Sequence, residues 1–184
     1  YMRHKGKSSR ISGTNAYRCG ESGFKTYQNE VNGRSARCYG MKWDNLTAEQ
    51  CYFDGFDLAS DYGDAAQRVD DYTLAQFAWN LLPLKHETTN LTAIGCHGTG
   101  AWGDGQGSTY RNLHIEDCYS SGTNFIGEYN IIDDVFSKNN NRKNGTVSDP
   151  VAQIKVPGKN NKVSKITIIV DDAAITGGYG LYAP

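Results

Sequence analysis

The stretch Asn90–Gly100, "NLTAIGCHGTG", is repeated as "NLHIEDCYSSG" at Asn112–Gly122 and as "NLTAEQCYFDG" at Asn45–Gly55. Each copy opens on Asn-Leu, carries Cys at its seventh position and closes on Gly at its eleventh. A looser fourth copy, "AYRCGESGF", puts Cys19 four residues before Gly23. Repeats of this kind decide the architecture before any other signal is read. The intervals between the cysteines are 32, 45 and 22 residues. The shortest reads as one repeat unit, 45 as close to two, and 32 as one unit with an insertion of about ten.

Inside a unit the pattern has period two: in "LHIEDC", Leu113 and Ile115 point one way, His114 and Glu116 the other. One such strand fills only part of 22 residues. Two or three short strands joined by bends fill the rest and coil the chain into a parallel solenoid, each coil burying its side chains against its neighbours. Stacking then aligns the Asn and Cys residues into columns at the strand spacing of about 4.8 Å. The Gly that ends each copy reads as a bend with positive φ. Glycine is abundant and proline scarce (21 and 4 of 184 residues), and β-branched and aromatic residues come in short runs, which fits an all-β class. "NNKVSKITIIV" near the end continues the style. Residues 61–87 fit worst; they read as an atypical coil or an insertion with one short helix around "LAQFAWNLL". Residues 138–162 read as a loop-rich coil, and the whole of 1–184 as one domain or a fragment of a longer chain, since it opens on Tyr1.

A net charge of −1 offers no broad attraction to nucleic acid, and the basic start "RHKGKSSR" reads as a solvated end. No apolar run approaches the roughly 20 residues of a membrane helix. Five cysteines without a CxxC pair read as a repeated architectural slot filled by free thiols, not as zinc ligands or disulfides. No metal and no cofactor is expected.

"SRISGTNAYRCGESGFKT", "NLTAEQCYFDGFDL" and "NLHIEDCYSSGTNF" resemble coils of the pectate-lyase-like right-handed parallel β-helix. They are most similar in texture to the receptor-binding tailspikes and tail fibres of bacteriophages. The resemblance implies a homotrimer on the virion tail that binds, and in many members depolymerises, a host cell-surface polysaccharide. Two other readings stay open: a secreted polysaccharide lyase or glycoside hydrolase, and a purely structural virion component.

Other motifs have plainer explanations. "GTGAWG" matches GxGxxG, but the following "DGQGSTYRN" does not start the helix that pattern needs. The sequons at Asn45 and Asn90 are the repeat's own Asn-Leu. "DGFD", "DD" and "HG" follow the order of the polygalacturonase motifs, without that family's basic motif after the His.

The alignment of copies also nominates a site. One place after the Cys stand Tyr52, His97 and Tyr119; six places after it stand Asp57, Trp102 and Asn124. With His114, Asp104 and the pair Asp133 and Asp134, these form an acidic, aromatic-lined strip suited to sugars. The catalytic candidates are Asp57, Glu116, Asp54 and Asp117, since glycoside hydrolysis needs two carboxylates. The substrate-binding candidates are Trp102, Tyr119, His97, His114, Asp104 and Asn124. The bland alternative is a set of core ladders or a wet face.

Overall fold

The structure, a computed structural model, describes residues 10–25, 30–31, 34–35, 40–58, 85–104, 107–143 and 151–183. The helix expected around "LAQFAWNLL" and the fifth cysteine, Cys38, lie outside the described residues. In chain order the strands are β1 (Arg10–Tyr17), β2 (Phe24–Lys25), β3 (Glu30–Val31), β4 (Arg34–Ser35), β5 (Lys42–Glu49), β6 (Phe56–Asp57) and β7 (Glu87–Ile94). There follow β8 (Ala101–Asp104), β9 (Thr109–Glu116), β10 (Thr123–Ile126), β11 (Ile131–Lys138), β12 (Ala152–Lys155), β13 (Lys162–Ile169) and β14 (Tyr179–Tyr182).

The chain deals these strands alternately into two sheets. One runs β1-β5-β7-β9-β11-β13, the other β2-β6-β8-β10-β12-β14. Every neighbouring pair in both sheets is parallel. Each turn of chain thus lays one strand on each sheet, which is a parallel β-helix. The antiparallel hairpin β3–β4 is an excursion between β2 and β5 and accounts for part of the 32-residue interval. The 45-residue interval is corrected: β5 pairs directly with β7, Leu46 facing Leu91 and Ala48 facing Ala93, so it is one coil with a long excursion, not two coils.

The core is a set of inward columns. Leu46, Leu91, Leu113 and Val135 stack in register, beside Ala48, Ala93, Ile115 and Ser137. Phe56, Ala101, Thr123 and Ile154 face them from the second sheet, all fully buried. Cys51, Cys96 and Cys118 fill the repeated slot as buried free thiols, with Cys19 partly covered at the end of the row. The next coil replaces Cys by Asn140, whose side-chain oxygen accepts the Cys118 N–H at 2.8 Å.

The bends are made by other residues than the glycines nominated for them. The fourth residue of each first-sheet strand is left-handed: Gly13, Asn45, Asn90, Asn112, Asp134 and Lys165 have φ between 50° and 65°. The register skips this residue in every pair, so each long strand is two extended halves hinged at one point. Asn and Asp tolerate this conformation better than other non-glycine residues. This is why the repeat opens on Asn. Its amides also form a ladder, Asn112 Nδ2 donating to Asn90 Oδ1 at 2.6 Å and Asn90 Nδ2 to Asp44 at 3.0 Å. Two more left-handed columns mark the other corners: Arg18, Gln50, Gly95, Asp117 and Asn139 after the long strands, and Gly40, Lys85, Gly107, Tyr129 and Asn160 before them.

Gly23, Gly55, Gly100 and Gly122 do not have positive φ; close approach selects them. A Cβ on Gly55 would stand 2.6 Å from the Gly100 carbonyl oxygen and 2.7 Å from the Ala93 methyl. A Cβ on Gly100 would stand 2.7 Å from the Gly122 oxygen and press on Ile115.

Candidate functional site

The column six places after the Cys forms as expected. Lys25, Asp57, Trp102, Asn124, Lys155 and Tyr182 pair in sequence across the second sheet. They alternate with the buried Phe56 column, so they occupy the sheet's outer face. Trp102 and Asn124 are half-buried there, and Asp57 is only 8% exposed.

Asp57 is covered because Lys25 lies on it, Nζ to carboxylate 3.0 Å; the same ammonium reaches Glu21 at 3.1 Å. The Asp57 hydrogen bond is the main cause that holds the Lys25 pKa above its ordinary value. Three residues before Asp57, Asp54 is partly buried and accepts the Thr99 backbone N–H at 2.6 Å. Burial pushes its pKa up to about 6, and the nearby Asp57 charge adds to the rise. The coil therefore carries two carboxyl groups with opposite settings: Asp57 in an ion pair, and Asp54 biased towards its protonated form.

The column one place after the Cys forms as well. The Tyr52 and His97 rings stack at 5.7 Å and 12°, and His97 and Tyr119 at 4.8 Å and 1°. Backbone bonds hold the turns in step, His97 N–H to Cys51 O and Tyr119 N–H to Cys96 O, each 2.9 Å. Phe53 meets Tyr52 edge-on at 5.1 Å. Tyr52, Phe53 and Tyr119 are 61%, 53% and 42% exposed, an apolar ridge of rings drawn from three successive coils.

A family model described as the Salmonella phage P22 tail-spike matches residues 1–181. The chain belongs to the P22 tail-spike family. Among solved structures, the siphovirus 9NA tailspike receptor binding domain is similar at 31% identity with a TM-score of 0.67. The match covers 92% of the present chain and 34% of that one, so this tail-spike chain spans about a third of the other's length. The phage tailspike resemblance read from the repeat is thereby shown, and so is the fold class.

The remaining candidates of the tail-spike chain lie elsewhere on the helix. His114 and Glu116 point outward together from β9, as their alternation implied, with Nε2 and Oε2 3.2 Å apart. They belong to the first sheet and Trp102 and Asp57 to the second, so the nominated strip divides in two. The Tyr119 turn runs between β9 and β10, joining one half to the other. Lys138 sits 3.0 Å from Glu116 and, with burial opposing and His114 assisting, holds its carboxyl below the usual carboxylate range. Phe136 stacks on His114 at 4.6 Å. Asp117 occupies a left-handed corner and pairs with Arg142 at 2.9 Å. Asp133 is hydrogen-bonded by Ser164 at 2.8 Å, on the first sheet. Asp104 ends β8, and its side chain lies outside the described residues.

Sequence reasoning missed Glu21 and Lys25. The signal was present, because "CGESGFK" aligns on "CYFDGFD" and sets Lys25 in the Asp57 column.

Proposed function

We propose that this tail-spike domain binds a host cell-surface polysaccharide along the Tyr52–His97–Tyr119 ridge and the outer face of the second sheet, and hydrolyses it between Asp54 and Asp57. The observation that carries the proposal is the opposed setting of these two carboxyl groups beside an exposed ring column. A carboxyl group whose pKa burial raises is suited to the acid role, beside a second carboxylate that serves as base or nucleophile. Asp54 is suited to protonate the leaving glycosidic oxygen. Asp57, whose carboxylate lies 3.0 Å from the Lys25 ammonium, is suited to receive the positive charge that develops at the sugar or to activate water. Aromatic faces take the apolar C–H patches of sugar rings, and Trp102 adds a further platform beside Asp57 in register. The neighbour's title as a receptor binding domain supports the binding half of this reading. Its working form is a homotrimer on the virion tail, checked by the mass of the full-length product in solution.

The test is to incubate the protein with cell-surface polysaccharide from a panel of Salmonella strains and to measure retention and oligosaccharide release separately. Binding with release that Asp54→Asn and Asp57→Asn abolish supports the proposal. Binding without release reduces it to a recognition domain, and neither binding nor release on any strain removes it.

A further inference from the structure

Counted from the Cys slot, the coils repeat their glycine at the fourth place and vary at the second, where Glu21, Phe53, Gly98 and Ser120 stand. Backbone bonds stack these four: Phe53 N–H to Glu21 O at 3.3 Å, Gly98 N–H to Phe53 O at 2.8 Å, and Ser120 N–H to Gly98 O at 3.0 Å. Three of them carry a side chain and Gly98 carries none. The repeat does not ask for glycine there, and neither does the backbone, since Gly98 is not left-handed.

The reason lies in the coil before it. A Cβ on Gly98 would press into Asp54 Oδ1, and would stand 2.8 Å from the Phe53 carbonyl carbon and 3.0 Å from Asp54 N. The space a side chain would fill is the space in which the Asp54 carboxyl lies. There Oδ1 accepts the Thr99 N–H at 2.6 Å. A neutral carboxyl group has one oxygen that accepts and one that donates. With Oδ1 taken by an N–H, the proton belongs on Oδ2.

We propose that Gly98 is a positioning residue for the acid: its missing side chain opens the seat in which Asp54 Oδ1 is pinned on the Thr99 N–H, leaving Oδ2 to carry and deliver the proton. The inference rests on the hydrolysis reading above and adds to it the residue that sets the acid and the oxygen that acts. The step moves one proton from Oδ2 to the leaving glycosidic oxygen as the bond from that oxygen to the anomeric carbon breaks. Water supplies the hydroxyl that caps the anomeric carbon, and its proton restores the acid. The Thr99 N–H stays on Oδ1 throughout and steadies the carboxylate in between.

A methyl group at position 98 displaces the carboxyl towards solvent, where the burial that raises its proton affinity is lost. The charged groups facing Asp54 are Asp57, whose charge adds to the rise, and Lys25, whose charge opposes it; the Cys96 thiol of the next coil is a further titratable neighbour. All of them are present with and without the methyl group, so the difference between the two proteins reads the seat.

The test follows the C=O band of the protonated Asp54 carboxyl against pH in the parent and in Gly98→Ala, each isolated as the infrared difference from its own Asp54→Asn partner. In the parent the band should grow in as pH falls through about 6, at the lowered frequency of a carbonyl that accepts a hydrogen bond. In Gly98→Ala it should grow in only nearer the ordinary 3.8. Oligosaccharide release from Salmonella cell-surface polysaccharide at pH 7 should fall with it, roughly tenfold for each tenfold loss of proton affinity, while affinity for the polysaccharide is kept. A folded Gly98→Ala whose band matches the parent's overturns the positioning role. A band that shifts while release does not overturns the acid role. A parent band at the frequency of a free carbonyl overturns the oxygen assignment, and that reading needs no variant to fold. A parent with the expected band that releases no oligosaccharide overturns the hydrolysis reading, while the band still decides whether Gly98 seats the carboxyl.

Discussion

Asp54 takes its backbone hydrogen bond from Thr99, a residue 45 positions away, at 2.6 Å across the boundary between two coils. That bond needs only an acceptor, and an amide oxygen is one. Asp54→Asn is therefore expected to leave glycan binding intact and to abolish oligosaccharide release, because the amide retains the shape and lacks the transferable proton. Release by the parent should fall as pH rises through about 6, the value to which burial lifts this group. A release profile flat from pH 5 to 8 would remove Asp54 from the acid role.

The same shift has a stability consequence of fixed sign. The folded pKa of about 6 lies above the ordinary 3.8, so the native state binds the proton more tightly than the unfolded chain. The stabilisation from this group is complete below the unfolded value and is lost as pH climbs to the folded one. Asp54→Asn should then be more stable than the parent at pH 7, by on the order of 2 kcal/mol, and no more stable at pH 4. Urea titrations at the two pH values measure this directly, and an equal effect at both would contradict it.

Trp102 stands between Asp57 and Asn124 on the outer face and is only half-buried. Trp102→Ala should weaken glycan binding by about 1–3 kcal/mol, the usual worth of covering such a ring, with little change in the melting temperature. A large loss of stability with unchanged affinity would make the residue a packing element.

Asn112 holds φ at 51° in the column of hinges. Asn112→Val should destabilise the fold by about 1–2 kcal/mol, since a β-branched residue is disfavoured in the left-handed region. Asn112→Gly should be tolerated. Equal stabilities of the two variants would mean that the hinge imposes no strain.

Cys118 is fully buried, and the neighbouring Cys96 thiol together with burial pushes its pKa well above the ordinary value. Replacing it by Asp buries a charge without a partner and should cost several kcal/mol, near the limit of what a domain withstands. Tolerance of Cys118→Asp in a folded protein would remove this column from the core.

Much of this was legible in three copies of eleven residues. A stacked helix aligns equivalent positions in space, so counting from the Cys was enough to place Tyr52 on His97 and Trp102 on Asp57. Counting failed wherever the chain leaves the stack. The 45-residue interval looked like two coils because the length of an excursion carries no period. Roles within the repeat were also exchanged. A glycine is permissive in φ and small at once, and the letter does not say which property was selected; the contact made by Gly55 does. Asp54 and Asp57 were nominated with Glu116 and Asp117 as equals. Only their surroundings, Lys25 on Asp57 and a covered carboxyl at Asp54, separate them.

The registers that build both sheets join residues 22, 27, 31, 32 or 45 positions apart, and the hairpin β3–β4 is the one local pairing among the described strands. A chain must close each of these loops before any ladder rewards it, and such topologies assemble slowly. Once the coils are stacked, the barrier that delayed assembly also guards against its reversal. Slow to form and slow to come apart is a useful temperament for a member of a phage tail-spike family.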